Sequence, residues 1–262
     1  MTSVERVDDP TDLRLADYLD LRGGRPPANG PVIVEGFLAI EALAGSRYQV
    51  RSALVSERKL DRLPPLPGDP PIYVADDAVL QATVGFDLHR GAVASADRPA
   101  PLDVDEVVRA AGTVLVLERV NDLENLGVLF RNARAFAVDA VVLDPETADP
   151  LNRRTVRVSL GHVLHVRFAR ATAWPGALDT VRAAGLTVIA LTPAGDPLPE
   201  RLPPRAAYLV GAEGPGLTDA ALAAADRRAR IPMAAGVDSL NVATAAGIAL
   251  AAHFQAAKKA SE

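Results

Sequence analysis

Five polar side chains, spread over three stretches of the chain, are candidates for chemistry: Asn125, Arg131, Glu213, Ser239 and Asn241. A guanidinium stays charged near neutral pH, so Arg131 is suited to clamping phosphate and stabilising negative charge rather than to accepting a proton. Arg131 follows Asn125 by six residues, about 600° on a continuous helix, so their side chains point to different faces. Asn125 is therefore expected at the entrance of that helix.

Glycines accompany these polar residues in the second stretch, Leu209–Leu217. Gly211, Gly214 and Gly216 follow a short apolar run and allow the backbone to approach a ligand closely. Together with the loop before Ser239, they indicate a pocket built from backbone groups and small side chains.

Each candidate also has a simpler structural explanation. Ser239 precedes an alanine-rich run without proline, which predicts a helix over residues 240–257. Ser239 is therefore a natural N-cap, and Asn241 can also satisfy free amides at the same helix start. Arg131 alone is an ordinary surface arginine, and Glu213 alone is a solvated carboxylate in a turn. Capping and a role in a site are compatible for Ser239 and Asn241.

The second half of the sequence alternates strands and helices. Thr113–Leu117 is an unbroken apolar run, which predicts a strand buried on both faces of a parallel sheet. A predicted helix over residues 126–136 follows it, and the whole pattern favours a doubly wound α/β domain. Further strands are predicted at 140–143, 163–168, 186–191, 207–210 and 230–231, with a helix at 175–184.

The first half also shows an α/β pattern, with a helix near Phe37–Leu43 and a short helix near Leu13–Leu21. The run Gly23–Pro27 is expected to interrupt regular structure, and Asp97–Asp103 is the best linker candidate. We therefore predict an N-terminal extension over 1–30, a small domain over 31–98, a linker over 99–110 and a larger domain over 111–262. Strands are predicted at 49–55, 72–74 and 91–94, and a second helix at 76–84.

Composition limits the classes of protein to consider. The chain has 262 residues, 49% of them hydrophobic, a net charge of -5, no cysteine and four scattered histidines. This composition predicts a folded protein without disulfides and without a metal site, and we expect no membrane span and a cytoplasmic location. Any contact with nucleic acid must be local. A patch of Arg51, Arg58, Lys59, Arg62 and Arg90 either holds phosphates or is an ordinary charged surface.

The three stretches Asn121–Ala133, Leu209–Leu217 and Ile231–Ala243, in this order, resemble the motifs of the SpoU/TrmH family of RNA ribose methyltransferases, part of the SPOUT class. The resemblance implies an S-adenosylmethionine-dependent enzyme that methylates the ribose 2′-hydroxyl of rRNA or tRNA and forms a homodimer. It also implies a knotted C-terminal domain with a parallel sheet, preceded by a small α/β substrate-binding domain similar to certain ribosomal proteins. Neither a knot nor a cofactor follows from the periodicity alone.

The resemblance carries roles over to individual residues. Asn125 and Arg131 match the residues that organise the reacting nucleotide. Glu213 matches a site position that often reaches across a dimer interface. Ser239 and Asn241 match the active-site pair of the third motif. Residues expected to bind the cofactor are Leu191, Leu209, Gly211, Gly216, Ile231, Met233, Ser239, Leu240 and Ala243.

Two positions depart from the family pattern, and two other functions compete with it. Leu123 stands where a proline is common, and Ala137 where a glycine often follows the helix. A nicotinamide-dependent dehydrogenase also uses a doubly wound sheet, but the 211–216 stretch lacks the G-x-G-x-x-G pattern. The other alternative is a catalytically inactive RNA-binding protein that retains the fold.

Overall fold

A computed structural model describes residues 3–22, 30–199 and 201–261, and the described chain forms two compact units. The first unit comprises the described residues up to Ala100 together with Pro150–His165. The second comprises Pro101–Asp149 and the described residues from Val166 onward. The predicted break at Gly23–Pro27 lies outside the described residues.

The first unit is an α/β structure around a mixed five-stranded sheet. Strand β3 (Val50–Ser56) is parallel to β4 (Ile72–Ala75) and antiparallel to β5 (Ala92–Ala96), so the sheet combines both pairings. Asp76 accepts a hydrogen bond from the Val79 amide and thereby caps helix α2 (Asp77–Val84). In sheet order, the strands are β1 (Val4–Arg6), β4 (Ile72–Ala75), β3 (Val50–Ser56), β5 (Ala92–Ala96) and β2 (Val32–Glu35). The helices of this unit are α1 (Phe37–Ala44), α2 (Asp77–Val84) and α5 (Arg153–Val158). Short 3₁₀ turns lie at Leu13–Tyr18, Glu57–Arg62 and His162–His165.

Helix α5 joins the first unit through a buried carboxylate. Glu35 is 4% exposed and forms ion pairs with Arg153 and Arg157, the second at 3.5 Å. A buried carboxylate needs such partners because burial removes its hydration. The arginine-rich segment that the sequence pattern grouped with the second half therefore packs with β2.

The second unit is built on a six-stranded sheet in which every pair of strands is parallel. Strand β6 (Thr113–Glu118) occupies an interior position and five of its six residues are buried, as its unbroken apolar run predicts. The order is β11 (Arg227–Arg230), β9 (Thr187–Pro197), β10 (Ala206–Gly211), β6 (Thr113–Glu118), β7 (Ala140–Leu143) and β8 (Arg167–Arg170).

Helices cover both faces of this sheet, so the predicted doubly wound arrangement is confirmed. Helices α3 (Val104–Val108), α6 (Ala177–Ala183) and α7 (Asp219–Ala224) pack on one face around Val114, Val116 and Leu209. Helices α4 (Leu123–Ala135) and α8 (Val242–Ser261) lie on the other face and pack against each other.

The pair Tyr208 and His253 attaches α8 to the sheet. The Tyr208 hydroxyl lies 3.1 Å from Nδ1 of His253, and the two rings meet edge to face. Burial raises the pKa of Tyr208 and lowers the pKa of His253, so both groups are uncharged near neutral pH. A neutral pair can remain in this apolar layer without a counter-ion.

Several predicted boundaries are wrong. Residues 162–165 form a 3₁₀ turn rather than the start of a strand, and β8 covers only Arg167–Arg170. The strand expected at 230–231 ends at Arg230, and β9 continues to Pro197. Helix α3 occupies part of the segment predicted as a linker, because Val107 and Val108 are buried in the core of the second unit.

Ser239 does not cap the last helix, contrary to the sequence prediction. Helix α8 begins at Val242, and Oδ1 of Asn241 accepts hydrogen bonds from the amides of Ala243 (3.0 Å) and Thr244 (3.2 Å). The helix therefore starts two residues later than predicted, and an asparagine performs the capping.

Both departures from the family pattern lie at the ends of α4. Leu123 is the first helical residue, a position that suits proline because the fixed φ of proline matches the start of a helix. Ala137 follows the C-terminus with φ = 51°, the left-handed region that favours glycine. The next amide, of Val138, returns to the carbonyl of Ala133 at 2.8 Å, which fixes this conformation.

Replacing Ala137 with glycine is expected to stabilise the protein. Glycine removes the steric cost of a left-handed backbone, about 1 kcal/mol, although part of the gain is offset by the greater freedom of the unfolded chain. Urea denaturation should show a higher midpoint for Ala137→Gly. The matched substitution Ala135→Gly, at the last helical position, should lower the midpoint, because glycine disfavours helical backbone. A lower midpoint for both variants would contradict the assigned conformation of Ala137.

Candidate active site

The three sequence stretches meet at the side chain of Asn241. Its Nδ2 donates hydrogen bonds to Oδ1 of Asn125 (2.8 Å) and to Oε1 of Glu213 (2.6 Å). These partners are 116 and 28 residues away in sequence. One residue from each stretch therefore contributes to a single hydrogen-bonded cluster.

Sheet order explains why the first two stretches are neighbours. Strands β6 and β10 are adjacent and parallel, and Glu118 at the end of β6 pairs with Gly211 at the end of β10. The chain leaves both strands at the same edge, where ligands bind in open α/β sheets. The loops that carry Asn125 and Glu213 therefore begin side by side.

Two helix N-termini converge on the same cluster. Asp122 caps α4 by accepting hydrogen bonds from the amides of Glu124 and Asn125, and Asn241 caps α8 through its side-chain oxygen. The positive ends of both helix dipoles thus lie beside Glu213. This arrangement favours negative charge at the cluster.

A second asparagine holds the two helices in register. Asn132 lies seven residues after Asn125 on α4, about two turns along the same face, and its Nδ2 donates to the carbonyl of Ala243 at 2.8 Å. A side-chain carbon on Gly247 would lie only 3.0 Å from this amide. The small residue in α8 therefore permits the close contact that places Asn241 opposite Asn125.

A cavity of about 620 Å³ in the second unit lies beside the cluster. Its size is in the range of small-molecule sites. Backbone and small side chains of the 210–217 and 239–242 loops form much of its wall. The predicted ligand-binding residues found in its wall are Leu191, Gly211, Gly216, Ile231, Met233, Ser239 and Leu240.

Two other predicted ligand-binding residues lie behind this wall. Leu209 is fully buried in the core of β10, and Ala243 is 1% exposed, with its carbonyl bound to Asn132. Both support the elements that line the cavity, and direct contact of either with a ligand stays a prediction.

The 211–217 loop folds tightly over the end of β10. The Gly216 amide donates to the Ala212 carbonyl at 3.0 Å, and a side-chain carbon on Gly211 would overlap the backbone of Gly216. Gly214 and Gly216 have φ of 86° and 69°. Glycine is needed here both for close approach and for backbone conformation.

A smaller cavity, about 330 Å³, adjoins the first. Both cavities are lined by Ala212, Glu213, Pro215 and Val242. Asn125 and Asp122 lie on the side of the smaller cavity. Glu213 and its neighbours thus line both cavities, so the two cavities adjoin at these residues.

Arg131 lies outside both cavity linings. It is exposed on α4, about 9 Å beyond Asn125 along the helix axis, and has no hydrogen-bond or ion-pair partner among the described residues. Ser239 is also exposed and lines the larger cavity. The structure therefore unites Asn125, Glu213 and Asn241 but leaves Arg131 separate.

A buried carboxylate outside the three sequence stretches anchors the glycine loop. Glu118, 0% exposed, accepts hydrogen bonds from the Thr218 amide (2.9 Å), the Thr218 hydroxyl (2.7 Å) and Nε1 of Trp174 (2.6 Å). Thr218 ends the loop and caps α7. The only signal in the sequence is an acidic residue at the end of an apolar strand, which does not reveal its partners.

Comparison with known proteins identifies the family. The model of the SpoU rRNA Methylase family matches residues 112–251, so the chain belongs to that family. A Mycobacterium tuberculosis protein described as an uncharacterized tRNA/rRNA methyltransferase is 47% identical over 259 residues, covering 94% of this chain and 90% of the relative.

Two further relatives are similar over different lengths. The 23S rRNA guanosine 2′-O-methyltransferase RlmP of Bacillus subtilis is 34% identical over 146 residues, 55% of this chain and 58% of RlmP. A crystal structure of an AdoMet-bound rRNA methyltransferase from Sinorhizobium meliloti matches with a TM-score of 0.80 and 26% identity, covering 96% of this chain and 98% of that one. The α/β fold with its SPOUT-type parallel sheet is therefore confirmed.

Two absences hold for the described residues. No cluster of three or more histidine, cysteine, aspartate or glutamate side chains is arranged to hold a metal ion there. None of the helices in those residues is long and apolar enough to cross a membrane.

Substituting Glu118 with glutamine should destabilise the second unit. The glutamine amide keeps one acceptor oxygen, but its NH₂ group cannot accept the hydrogen bonds that the second carboxylate oxygen of Glu118 accepts. Each broken hydrogen bond to a charged group costs about 1.5–3 kcal/mol. Urea unfolding should therefore show a lower free energy of unfolding for Glu118→Gln. Thr218→Ser, which retains the hydroxyl, should change it much less. Equal stability of Glu118→Gln and the parent would contradict the anchoring role.

Proposed function

We propose that this protein transfers the methyl group of S-adenosylmethionine to the ribose 2′-hydroxyl of an RNA nucleotide, in rRNA or tRNA. S-adenosylmethionine occupies the larger cavity, and the target nucleotide enters the smaller one. Because the relatives described above are named as rRNA or tRNA methyltransferases, we propose that this protein acts in the cytoplasm.

The observation that carries this proposal is the wall common to both cavities, with Glu213 bound to Asn241 and Asn241 bound to Asn125. Methyl transfer requires a donor and an attacking oxygen in line and in contact. Two cavities that share Glu213 as a lining residue would place a donor and a nucleotide next to each other. The tight 211–217 loop and the small residues around it suit the adenosyl group, because the backbone can approach it closely.

When bound, S-adenosylmethionine would supply an electrophilic methyl group already activated by its sulfonium, and the transfer would release S-adenosylhomocysteine and the hydroxyl proton. The protein's contribution is then to position the nucleotide and to favour loss of the hydroxyl proton. Glu213 and Asn125 offer oxygen atoms that can accept a hydrogen bond from the ribose hydroxyl, and Asn241 fixes both. The N-termini of α4 and α8 stabilise negative charge on the attacking oxygen.

Arg131 is proposed to bind the phosphate next to the target ribose. Its guanidinium is exposed and lacks a partner among the described residues, so it is available for a bidentate contact with phosphate. Ser239 is proposed to contact the cofactor from the wall of the larger cavity.

The first unit is proposed to bind the RNA substrate. Its basic residues are partly neutralised: Arg51 pairs with Asp17 at 2.9 Å, and Arg58 with Asp77 at 3.4 Å. Lys59 donates to the carbonyl of His89 at 2.8 Å. Electrostatic attraction of RNA to this patch is therefore weak and local, in agreement with the net charge of the chain.

The proposed function predicts that Arg131→Ala folds and binds S-adenosylmethionine like the parent but loses most methyl transfer, on the order of 100-fold or more. Arg131→Lys should rescue little, because a point charge does not reproduce the bidentate fork. Binding is measured by calorimetry and transfer with labelled cofactor on RNA from cells lacking the protein.

Arg134→Ala is the matched control, since Arg134 is also exposed on α4 and lies outside both cavities. It should retain activity. Transfer by Arg131→Ala within a few-fold of the parent would refute the role of Arg131. If the parent protein binds the cofactor but transfers no methyl group, the alternative of an inactive RNA-binding protein is favoured. If the parent protein does not bind the cofactor, the proposed methyltransferase function is refuted.

The homodimer is proposed to form through the exposed face of α4 and the neighbouring surface of α8. Val128, 37% exposed, and Ile248, 43% exposed, are large apolar side chains on these two helices. Val128 lies three residues before Arg131, on the same face of α4, so a dimer formed there also brings Arg131 near the partner protomer.

Light scattering at micromolar concentration should therefore give twice the mass of the chain. Val128→Lys together with Ile248→Lys should yield a monomer, because two buried charges without partners oppose association. A monomeric mass for the unmodified protein would refute the dimer. Leu38→Lys, at an exposed apolar residue of the first unit, is the control and should leave the mass unchanged.

A further inference from the structure

An ion pair in the wall of the smaller cavity is accessible to a ligand. Nε of Arg119 lies 3.2 Å from Oε2 of Glu146, and their side chains are 42% and 69% exposed. Asn125 and Glu213 are held by Asn241 and are assigned to the ribose hydroxyl, so the base of a nucleotide meets other groups of this cavity. The exposed pair can exchange its mutual contact for a ligand with matching donors and acceptors.

The loops that carry this pair are tied together by a buried carboxylate. Asp144 is 2% exposed, and its Oδ1 accepts from the amides of Arg119 (3.1 Å) and Thr147 (2.7 Å) and from the Thr147 hydroxyl (2.6 Å). That hydroxyl oxygen in turn accepts from the Val120 amide at 3.2 Å. Arg119 and Glu146 are thus presented from two loops with a fixed separation.

The backbone of Arg119 adds an independent observation. Its φ is 58°, in the left-handed region that non-glycine residues rarely adopt. Strained residues of this kind persist where the surroundings hold them, and they cluster at ligand sites. Here the Asp144 hydrogen bond holds the strained conformation, which directs Arg119 into the cavity wall.

We propose that the Arg119 and Glu146 pair recognises a guanine base on the target nucleotide. Guanine presents two adjacent N–H donors, at N1 and N2, which match the two oxygens of a carboxylate, and its O6 acceptor lies beside them for a guanidinium. This inference rests on the proposed function, because it assigns the base of the nucleotide whose ribose is methylated. Enzymes that act on single nucleotides commonly read the Watson–Crick edge in this way.

The other bases match the pair less well. Adenine and cytosine each place one donor beside an acceptor nitrogen, which repels a carboxylate. Uracil has one N–H flanked by two carbonyl oxygens, so a carboxylate that approaches it also meets two acceptors. Only guanine offers the order donor, donor, acceptor along one edge.

The first experiment identifies the methylated nucleoside. The protein is incubated with labelled S-adenosylmethionine and with rRNA and tRNA from a strain lacking it, and the RNA is digested to nucleosides and separated by chromatography. We expect the label in 2′-O-methylguanosine. Label in a different 2′-O-methylnucleoside overturns the guanine assignment but leaves the proposed function intact. Absence of label overturns the proposed function and the assignment with it.

The second experiment tests the pair itself with Glu146→Gln. Its amide keeps one acceptor but places a donor against a guanine N–H, so kcat/KM for RNA should fall on the order of tenfold or more. The KM for S-adenosylmethionine should not change. Because Glu146 is 69% exposed, the variant is expected to fold, which a urea melt verifies.

Glu106→Gln is the matched control. Glu106 also forms an exposed ion pair, with Arg167 at 2.8 Å, and it lies outside both cavities. It should leave kcat/KM unchanged. A loss of less than twofold for Glu146→Gln, or a loss shared equally by Glu106→Gln, overturns the assignment.

A transcript with inosine at the methylated position separates base recognition from other effects of Glu146. Inosine differs from guanosine only in lacking the 2-amino group of the base. If Glu146 binds that group, inosine and Glu146→Gln should each reduce kcat/KM, and together they should reduce it by much less than the product of the two losses. Independent, multiplicative losses would overturn the proposed contact.

Discussion

The candidate site depends on one amide side chain that serves two purposes. The oxygen of Asn241 starts the last helix, and its nitrogen holds Asn125 and Glu213. Because an amide carries both a donor and an acceptor, a single residue can satisfy a helix terminus and organise a site. An aspartate here could cap the helix but would repel Glu213, and a serine is too short to do both. The position of α8 therefore sets the geometry of the cluster.

Buried carboxylates at strand ends give the surrounding loops their rigidity. Glu118 receives three hydrogen bonds and fixes the end of the glycine loop, and Asp144 joins the loops that follow β6 and β7. A carboxylate that loses its hydration needs several donors, so its partners are confined to one arrangement. The loops at this edge of the sheet are consequently preorganised, as a reaction that depends on positioning requires.

The electrostatics of the site come mainly from backbone dipoles. The N-termini of α4 and α8 converge on Glu213, which lies in the wall between the two cavities. Fixed dipoles need no reorganisation when negative charge develops on an attacking oxygen. A parallel sheet produces this arrangement readily, because the strands end, and the following helices begin, at the same edge.

The sequence by itself determined the local elements and the family. The apolar run of β6, the helix after it and the alternation of strands and helices follow from periodicity, and the order of the three stretches indicated the SpoU family, which the family match confirms. These features depend on side chains close in sequence. The left-handed backbone at Ala137 agrees with the family pattern, in which glycine often occupies this position. This conformation depends on the local end of the helix.

Only the tertiary structure decided which candidate side chains meet. It assigned the cap of α8 to Asn241 instead of Ser239, separated Arg131 from the cluster, and placed α5 with the first unit through Glu35. It also revealed Glu118 and the pair of Arg119 and Glu146, which have no local signature. The physical reason is that hydrogen bonds between residues 28 to 118 positions apart depend on strand order and helix packing, which periodicity does not encode.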